Sequence, residues 1–337
     1  MNYIYFLLIC ILLIITTNYF QHKLNFLLDI DQKHKIKLSR KIPLSGGIYI
    51  LSTLILSKIF LSVNFNEILI ICLSLFFILG FFSDTKPSFK PLPRLILQLF
   101  LIILFIKLSD LSIYKTNIFF LDKFISITTF NTIFTAICLL VFLNGSNFID
   151  GVNGNLIGYN IIILFFLIPY NYELNLVYLL IIFSVFYFFN LFGKCYLGDN
   201  GVYVISILMS LIVIDIININ SLNPIIALNM LWYPAFENLF SIIRRYIYRS
   251  KIDVADKKHL HTLLFIWIRS LKLNTNLSNS LSGFAINFFN LITIFLSVYF
   301  MNNNQMLVII LISNITLYLV GYFKLLNIFS NLSDSKK

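Results

Sequence analysis

The chain has 337 residues, of which 59% are hydrophobic, 17% aromatic and 12% charged, with a mean hydropathy of +0.90. Soluble domains carry roughly 25% charged residues, so the composition excludes a soluble globular protein and indicates an integral membrane protein. The formal net charge of +11 would point to nucleic acid in a soluble domain; here it reads as the positive bias of cytoplasmic loops, and no nucleic-acid partner is expected.

Apolar runs fall at about 3–20, 46–63, 67–83, 94–108, 129–144, 156–169, 174–192, 200–217, 224–242, 283–301 and 306–325. Runs of roughly 15–20 residues are the length that spans a bilayer as helix. The first lacks a basic flank and a small-residue cleavage site, which reads as a retained helix. The predicted fold is an all-α polytopic membrane protein of about 11 transmembrane helices, one domain over 1–337, with active-site loops on the cytoplasmic side. Cys10, Cys72, Cys138 and Cys195 stand singly in or beside apolar runs, without disulfide or metal spacing.

Alternating the loops between two sides puts most of the lysines and arginines on one side, in 21–45, 84–93, 193–199, the long basic loop 243–282 and the C-terminal tail. That side is therefore cytoplasmic. The polar motifs fall on the same side: Ser45-Gly46-Gly47, Ser83-Asp84, Asn144 to Gly154, Gly198-Asp199-Asn200-Gly201 and His259-Leu260-His261. One site built from the inner ends of several helices is the expected arrangement.

The central stretch is Asn144-Gly145-Ser146-Asn147-Phe148-Ile149-Asp150-Gly151-Val152-Asn153-Gly154. Amides and a carboxylate beside a bilayer are costly unless they face a partner or water. The glycines allow close backbone approach to a ligand, and a helix expected from about Leu156 would aim its free N–H groups at an anion. Asn144, Asn147 and Asp150 are spaced to share a face. Asp84, beside Lys86, Lys90 and Arg94, reads either as a solvated salt-bridge face or as a site acid. Asp199, between glycines at a helix start, reads either as an N-cap or as a ligand. Carboxylates at such helix ends suit Mg²⁺, a hard cation often held by one or two carboxylates and substrate phosphates. In the basic loop, His259 and His261 alternate, which on an extended backbone puts both rings on one side, suited to phosphate oxygens.

Taken in order, these motifs resemble the polyprenyl-phosphate N-acetylhexosamine-1-phosphate transferases, which include the enzymes that begin O-antigen and enterobacterial common antigen synthesis. Pro43 to Gly47 is similar to their P-x-x-G-G, Asn144 to Gly154 to N-x-x-N-x-x-D-G-x-[DN]-G, and Gly198 to Gly201, after Asn190 and Lys194, to G-D-x-G. Pro234-Ala235-Phe236-Glu237, Arg244-Arg245, Asp256 and His259-Leu260-His261 follow in the family's order. The resemblance implies a multi-pass protein of the bacterial inner membrane that transfers N-acetylhexosamine-1-phosphate from a UDP-N-acetylhexosamine to undecaprenyl or another polyprenyl phosphate. UMP is released, with Mg²⁺, or Mn²⁺ in its place, as cofactor. By the same resemblance Asp199 and Asp84 are assigned to the metal, and Asp84, Asp150, Asp199, His259 and His261 to catalysis. Asn144, Asn147, Gly151, Gly154, Lys194, Arg244 and Arg245 are assigned to substrate. A homodimer is compatible with the sequence.

The chain departs from that pattern in places. Ser83 stands where the family has the first of two adjacent acids, Lys37-Leu38 where it has a histidine, Val202 where it has a serine after G-D-x-G, and Thr262 in its H-x-H-H. The missing acid has been proposed to deprotonate the acceptor, yet a phosphate monoester has a second pKa near 6 and is already largely dianionic at neutral pH. No histidine-rich H-H-H-F-E segment is present, which argues against the peptidoglycan-precursor branch. Two other readings compete: a catalytically impaired member serving as a scaffold, and a transporter or lipid flippase, which would need paired inverted repeats.

Overall fold

The computed structural model describes residues 3–29, 41–61, 66–86, 88–170, 176–247 and 258–334. Its elements are α1 (Tyr3–Leu24), β1 (Leu28–Asp29), β2 (Ile42–Pro43), α2 (Gly46–Leu61), α3 (Glu67–Thr85), α4 (Pro91–Ser109), α5 (Phe119–Ile125), α6 (Thr128–Ile149), α7 (Asn155–Leu167), α8 (Leu176–Leu191), α9 (Gly198–Ile219), α10 (Pro224–Ile247), α11 (Leu260–Ser270), α12 (Thr275–Tyr299) and α13 (Asn304–Asp334). Each of the eleven apolar runs is a helix. Seven helices, α1, α3, α4, α6, α9, α12 and α13, are long and apolar enough to cross a membrane; α2, α7 and α8 are apolar but shorter.

The bundle is built around α9. Its sequence is apolar on every side, from Val202 to Ile217, and such a helix is stable only when surrounded. Of its apolar span 78% is buried, against 17% for α1, so α9 is the axis and α1 the periphery. Helices α2, α3 and α6 pack directly on it. The approach is close because small residues line the seam: a Cβ on Gly80 would stand 2.5 Å from the Asn200 Cα, and one on Gly47 2.7 Å from the Asn200 carbonyl oxygen. In lipid, where apolar burial gives little driving force between helices, small residues that let backbones touch are what holds such a seam.

Pro234 lies inside α10 and cannot donate to the Met230 carbonyl one turn earlier. The Tyr159 hydroxyl from α7 donates to that carbonyl at 2.5 Å, so the gap in the helix ladder is filled from a neighbour. Gly145 of α6 packs on the Pro234 carbonyl.

Boundaries differ from the sequence expectation where polar residues are helical. The described residues of the segment 243–282 are largely helical: α10 runs to Ile247, α11 spans Leu260–Ser270, and α12 begins at Thr275, capped by the Asn274 side chain on the Asn276 N–H at 3.0 Å. Two short strands add a small antiparallel pair, Leu28 opposite Pro43, and Leu44 bridges Tyr196 in the loop before α9. At the far end of the bundle, Asn223 links to Asn117 at 3.0 Å and Asn218 to the Ser112 carbonyl at 2.7 Å.

Gly80→Ala should lower the melting temperature in detergent, at a cost of about 1–3 kcal/mol for overpacking. Gly321→Ala, on α13 with nothing within 4 Å of the added Cβ, should leave it unchanged or higher. Equal melting of the two variants would show that the α3–α9 seam is not tight.

Candidate active site

Asp84 ends α3 at the point where α9 begins. Its Oδ1 accepts the Asp199 N–H at 3.0 Å; its Oδ2 accepts the Asn200 N–H at 3.0 Å and the Asn200 Nδ2 at 2.6 Å. These are orphan donors of the α9 N-terminus, which carries partial positive charge. The cap of α9 is thus supplied by a different helix, and the residue preceding its first turn, Leu197, makes no side-chain cap. Asn200 also accepts the Gly47 N–H at 2.7 Å and reaches the Leu44 carbonyl at 3.3 Å. Three motifs far apart in sequence, those at Gly46-Gly47, Asp84 and Asp199-Asn200, therefore meet in one knot.

Asp199 is held separately. Its Oδ2 accepts from the Ser83 hydroxyl and lies 3.2 Å from Arg94 Nη1, which also contacts Ser83 Oγ at 3.2 Å. The serine in place of the family's first acid is thus a donor to Asp199, not a gap beside it.

Asp150 follows the last turn of α6, and the α6–α7 loop is short: residues 145 to 149 are helical, so the polar stretch becomes a loop only from Asp150 to Gly154. Among the described residues the Asp150 carboxylate accepts no hydrogen bond. Burial, then the negative fields of Asp199 and Asp84, push its pKa well above the usual carboxylate range. Asp150 lines a cleft with Gly151, Asn153, Asn190, Tyr196 and Asn279.

The α7 N-terminus is not an open anion cradle. The Asn153 N–H donates to Asn279 at 2.8 Å and the Gly154 N–H to Asn190 at 2.6 Å, while the Gly154 carbonyl accepts from Asn287 at 2.8 Å. Amides from α8 and α12 occupy donors that the sequence alone left for a ligand. Gly154 is in the left-handed region, φ +73, where a side chain would be strained.

His259 caps α11 from an extended backbone, and His261 sits in the first turn. The two rings stack with centroids 5.5 Å apart and planes 6° apart, so they share a side through helix-cap geometry and not through a strand. Both are buried. His259 Nδ1 is 2.8 Å from Glu237 Oε1, and its ring packs on Phe148 at 5.2 Å. A Cβ on Gly151 would lie 2.0 Å from His261 Nε2, which puts α11 directly on the Asp150 loop and requires glycine there.

The bundle end therefore brings together Asp84, Asp150, Asp199, Gly151, Gly154, His259 and His261. Other expected residues lie elsewhere. Asn144 points to α4, pairing with Gln98 at 3.1 Å. Arg244 is buried between Phe240 and Tyr322, with Nη1 3.1 Å from the Tyr322 hydroxyl, and Arg245 is half-buried on the same turn. Lys194 is exposed, and Asn147 is half-buried with no side-chain hydrogen bond among the described residues. Lys37, Leu38, Asp256 and much of the basic segment, including Arg249, Lys251 and Lys257, lie outside the described residues.

Asn279, Asn287 and Tyr318 escaped the sequence reading. The signal was present in α12, where Asn279, Gly283, Asn287 and Asn290 recur at helical spacing in an apolar segment; such a stripe in a membrane helix faces the bundle interior.

The residues fit a hard divalent cation. Asp150 has a carboxylate without a hydrogen-bond donor, and Asp199 has one oxygen engaged and one without a partner among the described residues. No three His, Cys, Asp or Glu side chains among the described residues group closely enough to hold a metal alone.

A family model described as glycosyl transferase family 4 matches residues 66–217, from the start of α3 nearly to the end of α9. No curated protein matches the chain.

Asp84→Ala should lower the ligand-free melting temperature, because the Asp199 and Asn200 N–H groups lose their acceptor, at a cost of about 1–3 kcal/mol. A residue acting only in chemistry would leave melting unchanged when removed.

Proposed function

We propose that the chain, which a glycosyl transferase family 4 model matches over residues 66–217, is a member of that family and a membrane enzyme transferring N-acetylhexosamine-1-phosphate from a UDP-sugar to a polyprenyl phosphate. The family itself supports a sugar-phosphate transferase using a nucleotide-sugar donor and a polyprenyl phosphate acceptor in the membrane. The observation that carries the finer reading is the convergence of Asp84, Asp150, Asp199 and His259 at one end of a bundle whose helices reach the bilayer. A lipid-borne phosphate and a water-borne nucleotide sugar can meet only at such a rim.

In this reading a non-bridging oxygen of the acceptor phosphate attacks the β-phosphorus of the donor. The bond from that phosphorus to the bridging oxygen breaks, and UMP leaves with the bridging oxygen. Asp199 and Asp150 would hold Mg²⁺, in place of the Asp199 and Asp84 pair that the resemblance implied, because both Asp84 oxygens already accept N–H donors at the α9 end that carries Asp199. When bound, the ion neutralises charge on the diphosphate and supplies Lewis acidity. Arg94, His259 and His261 offer positive charge and N–H donors to phosphate oxygens. Ser83 leaves no base beside Asp84, and a dianionic acceptor requires none. Initiation of O-antigen or another surface polysaccharide is the role that fits the product. The competing scaffold reading draws on Ser83 and on the Arg94 contact to Asp199.

Purified protein given a panel of UDP-N-acetylhexosamines, including 6-deoxy forms, should release UMP only when polyprenyl phosphate and Mg²⁺ are present. Asp199→Asn should reduce the rate by about 100-fold or more. Absence of UMP with every donor, together with unaltered glycan in cells carrying Asp199→Asn, would leave the scaffold.

Cation affinity should depend on pH through Asp150. Its folded pKa is raised, so the protonated form is favoured without metal; that stabilisation is complete below the unfolded pKa and is lost as pH rises through the folded one. Mn²⁺ affinity, read by electron paramagnetic resonance, should accordingly increase with pH through the raised value. A flat profile in the wild type, or an unchanged one in Asp150→Asn, would remove Asp150 from the cation site.

A further inference from the structure

Helices α4 and α6 are both long and apolar enough to cross a membrane, and residues 110–127 join them at the end of the bundle away from Asp84, with α5 in their midst. The two sides of α5 are inverted relative to what water favours. Its more buried side carries Leu121, Ile125 and the acid Asp122, whose Oδ1 accepts the Thr116 N–H at 2.7 Å. Its outer side carries Phe119, Phe120 and Phe124, followed by Ile127, and Phe119 and Phe120 are 78% and 70% exposed. A helix lying in water turns its apolar stripe inward and its charged face out. An exposed aromatic cluster of this kind marks a surface that something covers.

Position and charge identify the cover. Exposed apolar side chains on α4 and α6, among them Leu108, Ile133 and Ile137, run on into the patch, so it continues the surface that these helices present to lipid. Asn131 Nδ2 donates to the Ile113 and Ile125 carbonyls at 2.9 and 3.2 Å, and Asn218 Nδ2 to that of Ser112 at 2.7 Å. The segment is thereby held at the level where α4 ends and α6 begins. Asp110, Lys115, Asp122 and Lys123 cancel in charge, so burial of aromatic surface, not attraction to a charged partner, drives the contact. The Lys123 ammonium stands 4.5 Å from the Phe119 ring centroid, an arrangement in which the stem covers the ring while the charge stays at the polar layer.

We propose that residues 110–127 form an interfacial anchor, with Phe119, Phe120 and Phe124 set at the boundary between phospholipid headgroups and acyl chains. The anchor has a consequence for the opposite end of the protein. Helix α4 has 19 residues, about 28 Å of helix, close to the roughly 30 Å of the hydrocarbon core. Holding its Ser109 end at one boundary fixes the depth of its first turn, where Arg94 meets Ser83 and Asp199. The inference does not depend on the transferase reading.

A nitroxide on Phe120→Cys, or on Phe124→Cys, in protein reconstituted into phosphatidylcholine vesicles tests it by electron paramagnetic resonance. Oxygen, which concentrates in lipid, and a water-soluble nickel chelate each relieve saturation of the label where they reach it; labelled wild type, whose cysteines are buried or half-buried, gives the background. Expected is relief mainly by oxygen at both positions, at a shallower depth than for Ile137→Cys on α6, and the same result in vesicles containing anionic phosphatidylglycerol. Adding Phe119→Gln and Phe120→Gln together should raise nickel access at Phe124→Cys roughly twofold or more. Relief mainly by nickel at both positions would put the segment in water, and exclusion of both reagents would put it against protein; either result overturns the proposal. So would oxygen access that appears only with the anionic lipid.

Discussion

The side chain of Asn200 is the point on which the rest of the bundle end depends. It is completely buried, accepts the Gly47 N–H, and donates to Asp84 and to the Leu44 carbonyl. A helix terminus inside a membrane protein cannot rely on water for its orphan N–H groups. Here the first turn of α9 is satisfied by an acid from α3, and the amide of Asn200 ties that acid to the start of α2. The geometry of Asp199 follows, because its backbone N–H is bound to Asp84 while its carboxylate is left to Ser83 and Arg94.

A second knot of the same kind secures α7. Asn190 receives the Gly154 N–H and donates to the Cys195 carbonyl at 2.8 Å, joining the α6–α7 loop to the loop that leads into α9. Asn279 and Asn287 join both to α12. Asp150 lies between the two knots and belongs to neither. Its carboxylate is the one acid of the three that the protein leaves without a hydrogen bond among the described residues, while its surroundings are negative. The loop amides around it are matched to one another by short contacts, and the Asp150 carboxylate takes part in none of them among the described residues. In the proposed reading a cation would relieve that imbalance.

How much of this was legible in the sequence depends on the range of the interaction involved. The apolar runs predicted about eleven transmembrane helices; helices form at these runs because apolar length is a local property, and seven of the described helices are long and apolar enough to cross a membrane. The start of α12 was missed because Ser278, Asn279 and Ser282 read as loop residues, although their polar groups face neighbours across the bundle. The same limit applies to Asp84. Its neighbours Lys86 and Lys90 are exposed, and its real partners lie 115 and 116 positions further on. For the histidines the rings do share a side, but only His259 is on an extended backbone, as the N-cap of α11, while His261 is in the first helical turn. Asn144 shows the same limit: periodicity puts it on a face with Asp150, and its contact with Gln98 of α4 comes from a helix 46 positions earlier.

The exchange of an acid for Ser83 acquires a meaning from these contacts. With a carboxylate at that position, three acids would crowd the α9 terminus, and mutual repulsion would raise the proton affinity of at least one of them, which is how a general base is made. With serine, Asp199 gains a hydroxyl donor, and Arg94 comes within 3.2 Å of the same oxygen. The local charge shifts in the positive direction. A site of that composition is poorer at removing a proton and better at holding phosphate, because donor and acceptor both arrive as anions and their repulsion falls with each nearby cation. In the proposed transferase, loss of the acid would therefore move the work of the site from proton transfer to charge neutralisation, which is the main demand of phosphoryl transfer.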